Sequence, residues 1–168
     1  MKSIKYFIQF VIISFLFLIF KFLGLSFSSY LSGKIISFIG PLFRSKNLIK
    51  SNILKAFPNL SQRKVNKITK KMWNNYGRIL AEYIFIKGFR VSKFENNIEI
   101  EGQHILDKIK KDNESVIFIS GHFNNFELMA MQIEKSGINL AAVYRPLNNK
   151  FLNSIMERIR KKYICKNQ

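Results

Sequence analysis

The sequence predicts an α/β fold in which an N-terminal membrane-anchoring helix and a helical segment precede alternating strands and helices of one sheet. Three observations predict it. The residues up to Phe27 are almost uncharged, apolar residues then recur at helical spacing, and after Gly88 short β-branched runs alternate with amphipathic stretches. Because strand–helix–strand order implies parallel neighbours with right-handed crossovers, the second half is expected to form a parallel sheet.

The N-terminal segment predicts a membrane anchor over residues 1–30. No charge occurs from Tyr6 to Phe20, "YFIQFVIISFLFLIF", and if Lys21 snorkels, the apolar run from Ile4 to Phe27 reaches the roughly 20 residues of a bilayer span. The segment could span the bilayer or lie in one leaflet. A signal peptide, for which no small-x-small site follows, and a buried helix are the other interpretations. Because more Lys and Arg follow the segment than precede it, the body, residues 31–168, is expected to face the cytosol.

The charge of the 168-residue chain points to an anionic partner. It has 28 Lys and Arg against 10 Asp and Glu, a net charge of +18, and its first acidic residue is Glu82. Such a balance attracts nucleic acid, an anionic membrane or an acidic substrate or carrier. One predicted helix carries a basic face that is either simply solvated or in contact with anionic lipid headgroups. Its residues are Arg63, Lys64, Lys67, Lys70 and Lys71.

The body predicts two helices followed by three strand–helix pairs. "SKNLIKSNILKAFP" is expected to be a helix that stops at Pro58, and a second helical pattern runs from a Ser61 cap to Gly88. The predicted strands are "NNIEIEG", "SVIFIS" and "INLAAVYRP", and the helices between and after them are "QHILDKIKKDN", "NNFELMAMQIEKSG" and "NKFLNSIMERIRKKY". The carboxyl edge of such a sheet would present Gly121-His122 and Tyr144-Arg145.

The segment "SGHFNNFE" predicts an acid–base pair of His122 and Glu127. With Asn124 as N-cap, Glu127 is the third helical residue, so a capping-box variant would turn its carboxylate toward His122. A carboxylate bonded to one imidazole nitrogen fixes the tautomer and raises the basicity of the other nitrogen. The alternative is that Glu127 only caps a helix and His122 is only a loop histidine. No metal site is predicted, since His104 lies in a different helix.

Five segments occur in an order that resembles a known family. They are "NILKAFPNLS", "MWNNYGRILAEY", "IEIEGQHIL", "ISGHFNNFE" and "VYRPLNNKFLNSIMERIR". Together they resemble the lipid A biosynthesis lauroyl/myristoyl acyltransferase family of the lysophospholipid acyltransferase superfamily, over almost the whole chain. The resemblance implies transfer of a fatty acyl chain from acyl carrier protein to a hydroxyl of a lipid A precursor, or a related lyso-lipid, at the cytoplasmic face of the inner membrane.

The resemblance also implies residue roles. The H-x4-D/E dyad of the family falls on His122 and Glu127, as general base and its orienting carboxylate. Arg145, Arg160 and Asn125 fall on positions that imply substrate binding, the arginines for phosphate or developing negative charge. A solvated basic rim is the other interpretation of the two arginines. No metal or bound cofactor is implied.

The chain departs from the family pattern in two ways. Asn124 replaces a glycine and Phe126 a tryptophan, and relatives continue for well over a hundred residues that include an aspartate motif. The sequence is therefore expected to be the N-terminal portion of an acyltransferase domain, inactive or nearly so by itself. The rival hypothesis is a non-enzymatic, membrane-tethered basic protein that binds anionic lipid or RNA, although no RNA-binding motif is present and no nucleic-acid partner is expected.

Overall fold

The computed structural model describes residues 2–167 and divides them into two units. One unit comprises residues 2–18 with 85–167, and the other comprises Ile19–Ile84. The outer bounds of the predicted domains, Met1 and Gln168, lie outside the described residues. The predicted boundary after residue 30 stays a prediction.

The described residues are mainly helical. The α-helices are α1 Lys2–Leu23, α2 Leu25–Ile39, α3 Lys46–Ala56, α4 Gln62–Glu82, α5 Ile86–Arg90, α6 Gln103–Asp112, α7 Glu127–Lys135 and α8 Lys150–Tyr163. Short 3-10 helices cover Gly40–Leu42, Tyr83–Phe85 and Glu95–Asn97. The predicted Ser61 cap is confirmed, since the Ser61 hydroxyl accepts a hydrogen bond from the Lys64 amide at the start of α4.

The predicted parallel sheet, and with it the α/β fold class, is wrong. Among residues 2–167 no strand forms, and β pairing is limited to one isolated parallel bridge between Ala141 and Asn167. The segments "SVIFIS" and "INLAAVYRP" are not helical either, and Ile119 and Val143 within them are 92% and 105% exposed. The chain therefore has helices joined by irregular segments where the alternating pattern predicted a sheet.

The physical reason is that β-branched residues favour an extended backbone without supplying a partner strand. Ile98, after the 3-10 helix Glu95–Asn97, does adopt extended angles, with φ −125° and ψ 127°. Strand stability comes from cross-strand pairs and from a buried face, which a sequence pattern implies but cannot provide. Ile98 therefore adopts the extended backbone that its side chain favours, but it has no partner strand among the described residues.

The apolar N-terminal segment forms α1 and then breaks at Gly24. Among residues 2–167, α1 is the one helix long and apolar enough to cross a membrane, judged by length and composition; only 6% of its most apolar window is buried. Gly24 has φ +76°, a left-handed conformation that glycine adopts without steric cost, and α2 begins at the next residue. The predicted segment from Ile4 to Phe27 is thus two helices.

Helices α2 and α4 pack closely through small residues inside the unit Ile19–Ile84. A Cβ placed on Gly77 would lie 2.3 Å from the carbonyl oxygen of Ser32. The Ser29 hydroxyl donates a 2.7 Å hydrogen bond to the carboxylate of Glu82. Gly77 lets the two backbones approach, and the basic residues nearer the start of α4 are exposed.

The other unit is centred on α7. Met131 on α7 and Ile86 on α5 are fully buried, and α5 contacts both α7 and α8. At the far end of the unit, Asn149 caps α8 and also donates a 2.9 Å hydrogen bond to the Tyr6 carbonyl of α1. The ring of Phe151 lies 5.8 Å from that of Phe7. In the last turns of α8, the Arg160 side chain contacts Glu127, so these turns lie beside the N-terminus of α7.

Candidate functional site

The loop that enters α7 carries the predicted histidine and differs from the predicted capping box. Helix α7 begins at Glu127 with Phe126 as its N-cap, and no side chain caps it. Asn124 has φ +44°, and its carbonyl accepts a 3.1 Å hydrogen bond from the Phe126 amide. Asn124 therefore lies two residues before the N-cap, in the turn that leads into the helix. The prediction that Asn124 caps the helix is therefore wrong.

Glu127 is buried and its carboxylate is bound by Arg160 of α8. Its Oε1 atom accepts hydrogen bonds from Nε of Arg160 at 2.8 Å and from Nη2 at 2.5 Å. The side chains of Arg160 and Glu127 are 12% and 7% exposed. Removal from water makes a single charge costly at such a site, and the pair compensates it. Two of the predicted site residues are therefore in direct contact.

The ring of Tyr144 completes this cluster on a third segment. The guanidinium carbon of Arg160 lies 4.9 Å from the ring centroid, which is cation–π distance. Tyr144 is half-buried, whereas the next residue, Arg145, is exposed. A carboxylate, a guanidinium and a phenol ring thus meet where α7 begins, α8 ends and the segment 138–146 passes.

His122 lies on the exposed part of the same loop. Its imidazole packs edge-to-face against the ring of Phe126, with 4.4 Å between the centroids. Within residues 2–167 no hydrogen bond joins His122 to Glu127, whose carboxylate is directed to Arg160. The pairing of His122 with Glu127 stays a prediction. What the fold does establish is an accessible imidazole five residues before a buried carboxylate.

Of the other predicted residues, Asn125 is half-buried on the loop and Arg145 is exposed. The cluster of Glu127 and Arg160 does not include Arg145. As for metal binding, the described range contains no group of three or more His, Cys, Asp or Glu side chains that could hold an ion.

Three contacts were not predicted from the sequence: Arg160 with Glu127, Arg160 with Tyr144, and His122 with Phe126. The first two had no signal, since their residues belong to separate segments of the chain. The third had only a local signal, since His122 and Phe126 lie four residues apart on one loop.

An apolar cavity of about 510 Å³ lies beside α7, within the same unit. Leu128 and Met129, the two residues after Glu127, line it together with Ile105 of α6 and Phe118. Its volume falls in the range of small-molecule sites, and its lining is predominantly apolar with a few polar groups. The cavity could therefore accept a long apolar substituent close to the polar cluster.

An accessible imidazole suits proton transfer, an apolar cavity suits an apolar ligand, and α1 has the length and composition of a membrane span. A protein-family model described as bacterial lipid A biosynthesis acyltransferase matches residues 1–166. The chain therefore belongs to the bacterial lipid A biosynthesis acyltransferase family, and the resemblance of its five segments is confirmed. No curated protein and no solved structure matches the chain.

Proposed function

We propose that this protein transfers a fatty acyl chain from acyl carrier protein to a hydroxyl of a lipid A precursor or a related lyso-lipid, with His122 as general base. Family membership supports lipid A acyl transfer as the class of reaction. The residue assignment is carried by one observation, the exposed imidazole of His122 on the loop that leads into buried Glu127.

In the proposed reaction a nitrogen of His122 accepts the proton of the acceptor hydroxyl. The oxygen attacks the carbonyl carbon of the acyl thioester, the C–S bond breaks, and the thiolate leaves with the proton from the imidazolium. Exposure of His122 supports this role, because the base must reach the substrate hydroxyl. The edge-to-face contact with Phe126 restricts the orientation of the imidazole ring.

Glu127 is assigned to orient His122 and to stabilise the imidazolium. This pairing requires the loop from His122 to Glu127 to turn the imidazole toward the carboxylate. In the structure, the guanidinium of Arg160 neutralises the charge of the Glu127 carboxylate. Arg160 and Arg145 are assigned to bind phosphate or the negative charge that develops on the thioester oxygen, and Asn125 is assigned to substrate binding.

The apolar cavity beside α7 is the proposed site of the acyl chain. Leu128 and Met129 follow Glu127 directly, so a chain lying against them would place its thioester near the start of the helix. The net charge of +18 supports an acidic carrier as donor, since complementary charge accelerates association. Helix α1 would keep the body at the cytoplasmic face of the inner membrane.

The test is His122→Ala, with His104→Ala as the matched control on exposed α6. Transfer of a labelled acyl group from acyl carrier protein to a lipid A precursor is measured for the chain itself and for the chain joined to the C-terminal half of another family member. His122→Ala should lower transfer by about two or more orders of magnitude, the contribution of a general base, and His104→Ala should not. Unchanged transfer by His122→Ala would refute the assignment.

The role of Glu127 is tested by Glu127→Gln against Glu134→Gln. Both carboxylates lie on α7 and both pair with an arginine, Glu134 with Arg90 at 2.7 Å. Similar losses of stability are therefore expected, and only Glu127→Gln should lower transfer. The double variant His122→Ala/Glu127→Gln should lower acyl transfer little more than His122→Ala alone, because the two residues act as a unit. Equal losses of transfer in the two glutamate variants would indicate a structural role alone.

A further inference from the structure

A second cavity, of about 550 Å³, lies wholly inside the unit Ile19–Ile84 and has a basic lining. Lys46 and Lys50, one turn apart on α3, face it, and so does Lys70 of α4. Buried Ile49 and Val65 also line it. No acidic side chain lines this cavity, and the one acidic residue of Ile19–Ile84 is Glu82 at the end of α4.

The lining of the cavity suits an anion. Three lysine side chains, Lys46, Lys50 and Lys70, border one space, and Trp73 forms part of its wall. Lysine ammonium groups attract an anion with several acceptor oxygens, such as a phosphate.

The surroundings of the cavity are basic as well. Arg63, Lys67 and Lys71 fall within one arc of α4 together with Lys70, and all are exposed. In the part of the chain that the structure describes, no hydrogen bond or ion pair engages the side chains of these four residues. Their repulsion is therefore balanced by solvent alone, which leaves a positive field around the cavity.

Large apolar side chains stand exposed next to the same cavity. Ser37 and Pro41 line it, and their neighbours Phe38, Leu42 and Phe43 are 85%, 83% and 73% exposed. Exposed apolar side chains that lie close together along the chain are a feature of interaction surfaces. Aromatic side chains beside lysines are the composition of protein surfaces that rest in the headgroup region of a bilayer.

We propose that the cavity lined by Lys46, Lys50 and Lys70 binds the phosphate of an anionic phospholipid headgroup, while Phe38, Leu42 and Phe43 enter the bilayer interface. A lipid is favoured over a nucleic acid because the exposed side chains of Phe38, Leu42 and Phe43 would stay in water if the partner were a nucleic acid. The same unit also contains the end of α1, the helix of membrane-spanning length. This site lies outside the proposed acyl-transfer residues and does not depend on them.

The single tryptophan of the chain allows a direct test, because Trp73 lines the cavity. The full chain in neutral detergent is titrated with short-chain phosphatidylglycerol, short-chain phosphatidylcholine or inorganic phosphate, and the emission of Trp73 is followed. Phosphatidylglycerol should produce a saturable change, and the other two should bind at least tenfold more weakly, because each lacks either the net negative charge or the apolar chains.

The matched variants separate a defined site from general charge. Lys46→Gln/Lys50→Gln/Lys70→Gln should weaken phosphatidylglycerol binding by about two orders of magnitude, the sum expected of three lysines at an anionic membrane surface. The corresponding arginine variant should retain binding. The control Lys108→Gln/Lys111→Gln/Lys166→Gln removes the same charge from the other unit and should change binding less than twofold. Circular dichroism should show unchanged helix content in all three.

Four results would each overturn the proposal. Equal weakening in the control variant would mean non-specific attraction, and equal binding of phosphatidylcholine would mean apolar contact alone. Inorganic phosphate that binds as tightly as the lipid would indicate a site for a free anion. A single-stranded RNA that displaces phosphatidylglycerol and binds more tightly would indicate a nucleic-acid surface. Because the titration measures only the binding of lipid, phosphate or RNA, none of these outcomes affects the test of acyl transfer.

Discussion

Arg160 and Glu127 form a buried ion pair between residues 33 positions apart in the sequence. Both hydrogen bonds end at the same carboxylate oxygen, Oε1, so the guanidinium and carboxylate do not meet in the parallel two-oxygen arrangement. Tyr144 covers the guanidinium from one side. The pair therefore ties α8 to the first residue of α7, directly behind the loop that carries His122.

The first prediction concerns the stability that this pair provides. Arg160→Met should lower the free energy of unfolding by about 3–5 kcal/mol, because the Glu127 carboxylate would stay buried without its counter-charge. Lys161→Met is the control on the same helix. This variant breaks the ion pair between Nζ of Lys161 and Oε1 of Glu157, which are 3.0 Å apart and whose side chains are 53% and 36% exposed. Because the pair is exposed to solvent, its loss should lower the free energy of unfolding by only about 0–1 kcal/mol. Urea unfolding followed by circular dichroism measures both, and equal losses would contradict the interpretation.

Helices were predictable from the sequence and the sheet was not, for a physical reason. A helix is built from hydrogen bonds four residues apart, so the apolar spacing before Pro58 is sufficient to predict α3, Lys46–Ala56. In α4 the prediction overran, since the helix ends at Glu82 and a 3-10 turn separates it from α5. A strand depends on a partner elsewhere in the chain, and the β-branched run around Ile117 and Ile119 has none among the described residues.

The candidate site was predictable only in part. A loop position for His122 followed from the Gly121-His122 segment, and the structure confirms its exposure. The partner of Glu127 was not predictable, because a sequence motif shows local spacing, whereas Arg160 reaches Glu127 from another helix. The dyad was inferred from a pattern of six residues, and the ion pair depends on how α7 and α8 pack.

The second prediction concerns the close approach of α2 and α4. Gly77→Ala should destabilise the unit by about 1–3 kcal/mol, although alanine favours helix, because the new Cβ would lie 2.3 Å from the Ser32 carbonyl oxygen. Gly33→Ala is the matched control. Its Cβ would meet the Asn74 amide and Arg78 side chain, which can move, so a change within about 1 kcal/mol is expected. Thermal unfolding compares the two variants, and a Gly77→Ala protein more stable than the wild type would contradict the close approach of α2 and α4.

The third prediction concerns Cys165, which is 1% exposed and whose Sγ donates to the Leu140 carbonyl oxygen at 3.1 Å. Burial raises the pKa of the Cys165 thiol above its ordinary value, so less thiolate is present at a given pH. Alkylation at pH 8 should therefore be much slower in the folded protein than in urea. Because the pKa of Cys165 is higher in the folded than in the unfolded protein, the stability that the protonated thiol contributes should be lost as pH rises through the folded pKa. Equal alkylation rates in the two states would contradict the burial.

The last prediction concerns α1 and the way the protein is held at a membrane. Its apolar side chains are largely exposed, with Val11 48% and Phe15 62% exposed, so lipid is the environment in which they would be covered. Membrane fractions washed in high salt should retain the protein, because salt screens lysine–headgroup attraction and leaves apolar burial intact. Deletion of residues 2–23 is not a clean test, because it would also remove the Tyr6 carbonyl that Asn149 binds and the Phe7 ring that packs on Phe151. Release by salt alone would show that the basic surface is the attachment.

A substitution test separates insertion from loss of folding. Val11→Lys/Phe15→Lys should release the protein from washed membranes, since each lysine near the centre of a span costs about 2.5–3.5 kcal/mol. Phe57→Lys/Tyr76→Lys replaces two side chains of similar exposure, 59% and 51%, outside α1 and should leave the protein membrane-bound. If the α1 variant stays on the membrane after the salt wash, α1 does not cross the bilayer. Attachment would then come from elsewhere in the chain, and the exposed face of α1 would need a protein partner to cover it.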